Sequence, residues 1–408
     1  MMISQRLRVT ALLAVAAAAL TGCATLSGTT HPGEIDVRTL DVGKYSTRPL
    51  DLRYLYRPRM TIARELATQR LADHVVTGAD IDPALTFGTG AVSIINTDHA
   101  TQVLAKATEP VLVANKMMFG LSVGHSDKQL DESGKSPAGR TFTTVTVLQF
   151  PDAAAAAKAA TELDDTDFGV AADVNERVTL PGHGDAHSHW RPGVASLGST
   201  IAHGSYVVNT YLGVRDPDLS ALTALADKVF DAQLPLLDSL PPLTPEGILR
   251  LPYDADGMLR RTLAPGVSFQ PDFREQAVAE PRGFLHRVSD QAFWRRLVTD
   301  SGTDRFSTSG ADYDGPSMLF RTRDAQAAKQ LADAILGHGY SGKVDAPAGV
   351  PDAKCGETTN TSTVINRIRR YRCVVSYRQY TAVVDSDQVA DAHQRAAAQY
   401  ALLANSSW

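Results

Sequence analysis

The sequence predicts an α+β protein of two related domains, each a mainly antiparallel sheet with helices packed on one face. Three observations carry this. Candidate strands are few and partly paired through short turns, unlike the regular alternation of a doubly wound sheet. Pro241, Pro242 and Pro245 interrupt the chain where neither a helix nor a central strand continues. On either side of that break the same succession of strand, capped helix and strand recurs, as an internal duplication would leave it.

Read from its start, the chain has a basic end (Arg6, Arg8), then an apolar run from Val9 to Leu20, the size of a signal-peptide core and too short to span a bilayer. Leu20-Thr21-Gly22-Cys23 matches the lipobox of bacterial lipoproteins, in which the cysteine is lipidated and becomes the new N-terminus. The plainer alternative is a secretory signal with a chance cysteine. The division that follows is a signal peptide over 1–22, a lipidated tether over 23–33, an N-terminal domain over 34–240 and a C-terminal domain over 246–408.

In the first domain Thr141 to Phe150 reads as a strand, running through Pro151 and Asp152 (N-cap) into an alanine-rich helix from Ala153 to Leu163. Ser205 to Val214 is a second strand, and Asp216-Pro217 opens a helix with Leu219, Leu222, Ala226, Val229 and Phe230 on its buried stripe. In the second domain Ser317 to Arg323 is a strand, Asp324 caps the helix Ala325 to Leu336, and Gly337 ends it. Arg372 to Ser376 and Tyr380 to Val384 form a strand pair, and a last helix begins after Asp385-Ser386-Asp387.

With 40 basic and 45 acidic side chains, dispersed along the chain, no electrostatic footprint for nucleic acid is present. Three cysteines are an awkward number for an exported protein. Lipidation of Cys23 leaves Cys355 and Cys373 to pair in an oxidising compartment. Two buried free thiols are the alternative. A zinc site there is disfavoured, because two cysteines without a nearby histidine pair do not supply four ligands.

Two stretches suggest catalysis. Gly120-Leu121-Ser122-Val123-Gly124 has the G-x-S-x-G form of a hydrolase nucleophile elbow, with His125 or a distant histidine as base. The polar stretch after it has little helical promise, which favours an ordinary loop serine. His183, Asp185, His187 and His189 would share one face of an extended segment and could offer ligands to zinc, with His99, His125 or His203 from outside. The flanking Pro-Gly and Gly-Asp pairs favour a solvated loop instead. Asp254-Ala255-Asp256-Gly257 lacks the distal glutamate of a calcium loop and reads as a turn. Asp164, Asp165 and Asp167 read as a solvated helix end. Arg367, Arg369, Arg370 and Arg372 form a basic cluster that could meet anionic lipid or an acidic partner, or simply face solvent. Phosphate loops, an HExxH pair and kinase motifs are absent from the sequence.

The chain resembles a group of two-domain lipoproteins of unknown function from mycobacteria and related mycolic-acid actinobacteria. The likeness rests on Cys23, on Asp41-Val42-Gly43-Lys44-Tyr45 followed by Arg48-Pro49, and on His203-Gly204-Ser205-Tyr206-Val207-Val208 leading to Asp216. It implies a lipid-anchored place on the extracytoplasmic face of the cell membrane and no particular activity. The paired cysteines resemble, more loosely, those of extracellular sensor domains of actinobacterial kinases. The expectation is a non-catalytic envelope protein without cofactor, anchored in the membrane, that binds a small molecule, lipid or protein near the junction of its two domains. The competing expectations are a serine hydrolase using Ser122 and a zinc enzyme at His183 to His189.

Overall fold

The computed structural model describes residues 34–50, 56–131, 133–254, 256–266, 270–310, 316–358 and 369–406. Cys23 and Arg367 lie outside them. The first half runs α1 (Met60–Ala72), α2 (Gly78–Ile81), β1 (Phe87–Ile94), α3 (Thr97–Ala100), α4 (Glu109–Ala114), β2 (Phe119–Ser126) and β3 (Phe142–Gln149). It continues with α5 (Ala153–Gly169), β4 (Glu176–Val178), β5 (His187–Trp190), β6 (Ser196–His203), β7 (Tyr206–Gly213) and α6 (Leu219–Asp238). After α7 (Pro245–Leu249) come β8 (Gln276–Ala279), α8 (Pro281–Leu285), α9 (Gln291–Asp300), β9 (Arg305–Ser309), β10 (Ser317–Arg321) and α10 (Ala325–Gly337). The chain closes with β11 (Gly342–Val344), β12 (Ala353–Glu357), β13 (Tyr371–Tyr377), β14 (Tyr380–Ser386) and α11 (Val389–Asn405).

Each half builds one seven-stranded sheet, in the orders β1-β2-β3-β7-β6-β5-β4 and β8-β9-β10-β14-β13-β12-β11. The strand pairings are antiparallel in both. The two orders are identical element for element. A helical pair follows the first strand, a long helix the third, and a closing helix the seventh. This is the duplication expected from sequence, now as shared topology.

Local chemistry repeats with it. Asp152 accepts from the Ala155 N–H and Asp324 from the Ala327 N–H, each at 2.8 Å, so both long helices start on the same cap. The last two strands of each domain join through two-residue turns, Gly204-Ser205 and Arg378-Gln379, whose first residues take φ of 55° and 50°. Glycine adopts that conformation freely; arginine does so at a cost.

Helices cover both faces of each sheet, where one face was expected. Val145 and Val147 of β3 pack under α1 and α6, while their neighbour Leu148 packs under α5. In the second sheet Val374 packs under α10, and Tyr377, on the alternate face, meets Tyr400 of α11. The reason lies in the strands, which are buried on both sides; β2 is buried along its whole length.

Two boundaries also move. Helix α6 is capped by Asp218, which accepts from the Ala221 N–H at 3.1 Å, because Asp216 is used in the preceding turn, its carbonyl accepting from the Asp218 N–H. Residues 37–50, placed by chain order with the N-terminal domain, lie instead on α11. Tyr45 donates to Asp391 at 2.6 Å, Gln394 to Asp41 at 3.1 Å and Asn405 to the Thr47 carbonyl at 2.9 Å.

The halves meet along α1. Glu65, Gln69 and Asp73 form one stripe of that helix at i, i+4 and i+8, and each engages the backbone of 273–283. Glu65 accepts from the Phe273 N–H at 3.1 Å and Gln69 donates to the Gln276 carbonyl at 3.2 Å. Asp73 accepts from the N–H groups of Glu280 and Gly283, at 2.9 and 3.2 Å, and so caps α8.

The equivalence of the two caps is testable. Asp152→Ala and Asp324→Ala should each lower stability by about 1 kcal/mol in urea unfolding; a cost confined to one would show that the repeated caps do not carry repeated energetics.

Candidate functional site

Ser122 sits within β2, its side chain 2 % exposed and its Oγ 2.8 Å from Thr146 Oγ1 on β3. A nucleophile elbow needs the end of a strand and a helix start; here the whole Gly120–Gly124 run is mid-strand. His125 is three residues on, so it projects from the opposite face. The glycines have a packing cause. A Cβ on Gly120 would collide with the Val147 carbonyl and one on Gly124 with Thr89 Oγ1.

The histidines of 183–189 do not converge. Only His187 and His189 belong to β5. His183 Nδ1 lies 3.1 Å from Asp227 on α6, His187 Nε2 3.0 Å from Thr161 on α5, and His189 Nδ1 2.8 Å from Asp164. Asp185 is exposed. Asp164 is not at a solvated helix end but buried inside α5, where Arg177 and His189 both bind it. Burial lowers the His189 pKa. This Asp164–Arg177–His189 group ties α5 to β4 and β5. Nothing local in the sequence joins its members, which come from three separate elements.

The remaining candidates are structural. Asp254 accepts from the N–H groups of Leu259 and Arg260, each at 3.0 Å, and so closes a turn. The described members of the basic cluster are paired: Arg372 with Asp385 at 2.7 and 2.8 Å, Arg370 with Glu357 at 2.6 Å, and Arg369 with Asp387. Cys355 and Cys373 stand opposite each other in the β12–β13 register and form a disulfide.

A cavity of about 460 Å³ opens between the 44–50 segment and the second domain. Lys44 and Arg48 line it beside Pro49, Leu50, Pro265 and Leu402. Neither cation has an ion pair among the described residues. The segment is held by Tyr45, whose hydroxyl donates to Asp391 and accepts from Arg395 Nε at 3.0 Å. Burial, reinforced by the bond to Asp391, pushes the tyrosine pKa up to about 12, so the hydroxyl keeps its proton. The wall thus combines two positive side chains with an apolar floor.

At the junction of the halves, His125 and His286 are buried with ring centroids 6.2 Å apart. His125 Nδ1 lies 3.2 Å from Thr143 Oγ1; His286 donates from Nε2 to the carbonyls of Ala72 and Val75, at 3.2 and 3.1 Å. His125 Nε2 and His286 Nδ1 have no hydrogen-bond partner among the described residues. Asp80 lies nearby, bound by Thr77, Arg282 and Arg295. Burial raises the Asp80 pKa, but the Thr77 N–H and hydroxyl and the two guanidinium groups outweigh it and hold it below the usual range. Burial pulls His125 down from 6.5 to about 3 and His286 to about 4.

The fold and these sites define a duplicated α+β protein with a basic-and-apolar cavity. Residues 55–253 match the "Domain of unknown function (DUF7373) N-terminal" and residues 258–406 its C-terminal counterpart. The chain belongs to this two-part family of unknown function. No curated protein matches it in sequence. Among solved structures, the extracellular domain of PknH from Mycobacterium tuberculosis aligns at 11 % identity and a TM-score of 0.29, over 43 % of this chain and 97 % of that one.

The buried histidines give a pH dependence of definite sign. Their folded pKa values lie below the ordinary 6.5, so the stability tied to their neutral forms is complete above that value and is lost as pH falls towards about 4. Asp73, raised by burial to about 7, contributes the opposite slope in the same range. Comparing wild type with His286→Gln cancels that contribution. The urea midpoint should fall less in the variant than in wild type between about pH 7 and 4.5; equal falls would mean that His286 is not held neutral.

Proposed function

We propose that this is a lipid-anchored lipoprotein of the bacterial cell envelope, on the extracytoplasmic face, that binds an amphiphilic anionic ligand without transforming it. The cavity under the 44–50 segment carries the reading: Lys44 and Arg48 complement an acidic head group, and Leu50, Leu402 and the prolines an apolar portion. The lipobox at Leu20 to Cys23 supports the anchor, and the quoted motifs the likeness to mycobacterial lipoproteins. No helix of the described residues is long and apolar enough to cross a membrane. Thirteen residues lie between Cys23 and Val37, a reach of at most about 50 Å, which would keep the cavity near the membrane surface.

Two experiments test the reading. Mass spectrometry of the N-terminal peptide should find it starting at Cys23 and carrying acyl chains, a modification absent in Cys23→Ala; an unmodified wild-type terminus would make this a plain secreted protein. For the ligand, a fluorescent fatty acid should bind the purified full-length protein, and the double substitution Lys44→Glu, Arg48→Glu should weaken it. A charge-assisted contact contributes about 1.5 kcal/mol, so the loss should reach roughly tenfold or more. Binding unchanged by the double substitution would place the ligand elsewhere.

A further inference from the structure

Cys355, Cys373 and His393 form a cluster in which both sulfurs and one ring nitrogen lie within 4.8 Å of one another. The cysteines come from β12 and β13, and the histidine from α11, which covers that side of the sheet. Both cysteines are buried and His393 is half-buried. The Nε2–H of His393 donates to the Asp345 carbonyl at 2.8 Å. In the neutral ring that bond leaves the lone pair on Nδ1. A histidine oriented by a backbone carbonyl, with its other nitrogen free to coordinate, is the arrangement that metal-binding histidines use. Two thiolates and one imidazole are the donor set of an open zinc site, with a water in the fourth position. The sequence reading against zinc was the lack of a nearby histidine pair; the last helix supplies one histidine, enough for a three-ligand site.

We propose that Cys355, Cys373 and His393 are a thiol-reducible site for a zinc-like, thiophilic divalent cation: a disulfide when oxidised, a three-ligand cation site when reduced. The reductant is a dithiol. Its first thiolate attacks one sulfur of the bridge, forming a mixed disulfide and releasing the other cysteine. Its second thiol then closes on the first, leaving as a disulfide and returning the remaining cysteine as a thiol. Two electrons and two hydrogens pass from the dithiol to the cysteine pair. The cation then displaces the two thiol protons, and Nδ1 of His393 completes the protein ligands.

The test uses the full-length protein, oxidised or reduced with a water-soluble phosphine, and Co²⁺ as a spectroscopic stand-in for zinc. Reduced wild type should take up one Co²⁺ per chain with a thiolate-to-cobalt charge-transfer band, and oxidised wild type should show none. His393→Ala keeps both cysteines and the disulfide, and its folding is checked in the oxidised form against wild type by urea unfolding. Once reduced, it should bind Co²⁺ more weakly by at least the roughly 10–100-fold that loss of an outer-shell partner costs. Absence of the band in reduced wild type would overturn the proposal. So would equal affinity in reduced His393→Ala, the result expected of thiols in an unfolded chain or of a disulfide that merely lies beside a histidine.

Discussion

The stripe Glu65, Gln69 and Asp73 on α1 is the constraint on which the rest of the structure depends. Two sheets with apolar faces could pack against one another in many ways, because hydrophobic burial is not directional. Hydrogen bonds are directional. Three side chains at fixed helical spacing, each bound to main chain between 273 and 283, allow one placement of the second domain's entry segment against the first domain's leading helix. A buried amide or carboxylate left unpaired here would cost about 1–3 kcal/mol, so displaced packings are penalised as well as the correct one favoured. Desolvation remains at work even so. Burial raises the pKa of Glu65, and Asp73 is carried to about 7 despite two N–H donors.

With the junction set, the two domains diverge in what they carry. The first sheet spends its polar interior on structural pairs, such as Ser122 with Thr146 and Ser188 with Ser199 at 2.7 Å. The second holds the disulfide and receives the chain's leading segment on its closing helix. Shared topology with unshared chemistry is what duplication followed by divergence produces, and it puts both distinctive features, cavity and cysteine cluster, on the α11 side of the second domain.

Much of the fold was legible because it is written locally. The caps Asp152 and Asp324, the alanine stripe of α5 and the Tyr377–Tyr380 turn each depend on residues within one or two turns of chain. The cap at Asp218 was misplaced by two residues because Asp216-Pro217 offers the same local signal; Asp216 closes the turn before the helix instead. The disulfide was readable once the lipobox reading set Cys23 aside and an exported location allowed the other two to pair. What was not readable depends on distance in sequence. His393 beside Cys373, Arg177 on Asp164, and Tyr45 on Asp391 join elements that no pattern along the chain connects. The histidine run misled for the same reason: proximity in sequence suggested convergence, whereas Asp227 draws one ring to α6, and Thr161 and Asp164 draw the other two to different positions on α5. The polar stripe of α1 did have a signature, acidic and amide residues every fourth position in a helix otherwise rich in Ala and Leu, which reads as a buried seam only when a second domain is there to receive it.

The clasp of Tyr45, Asp391 and Arg395 joins the beginning of the described chain to its final helix, and this has a mechanical side. A pull applied at Val37 reaches the hydrogen bonds to α11 before it reaches α1. Tension is therefore taken up first by the second domain, across short polar contacts oriented around a buried ring, and the first sheet stands behind that stop. Under such a pull this is strain relief: the segment can slip or yield while both sheets keep their register.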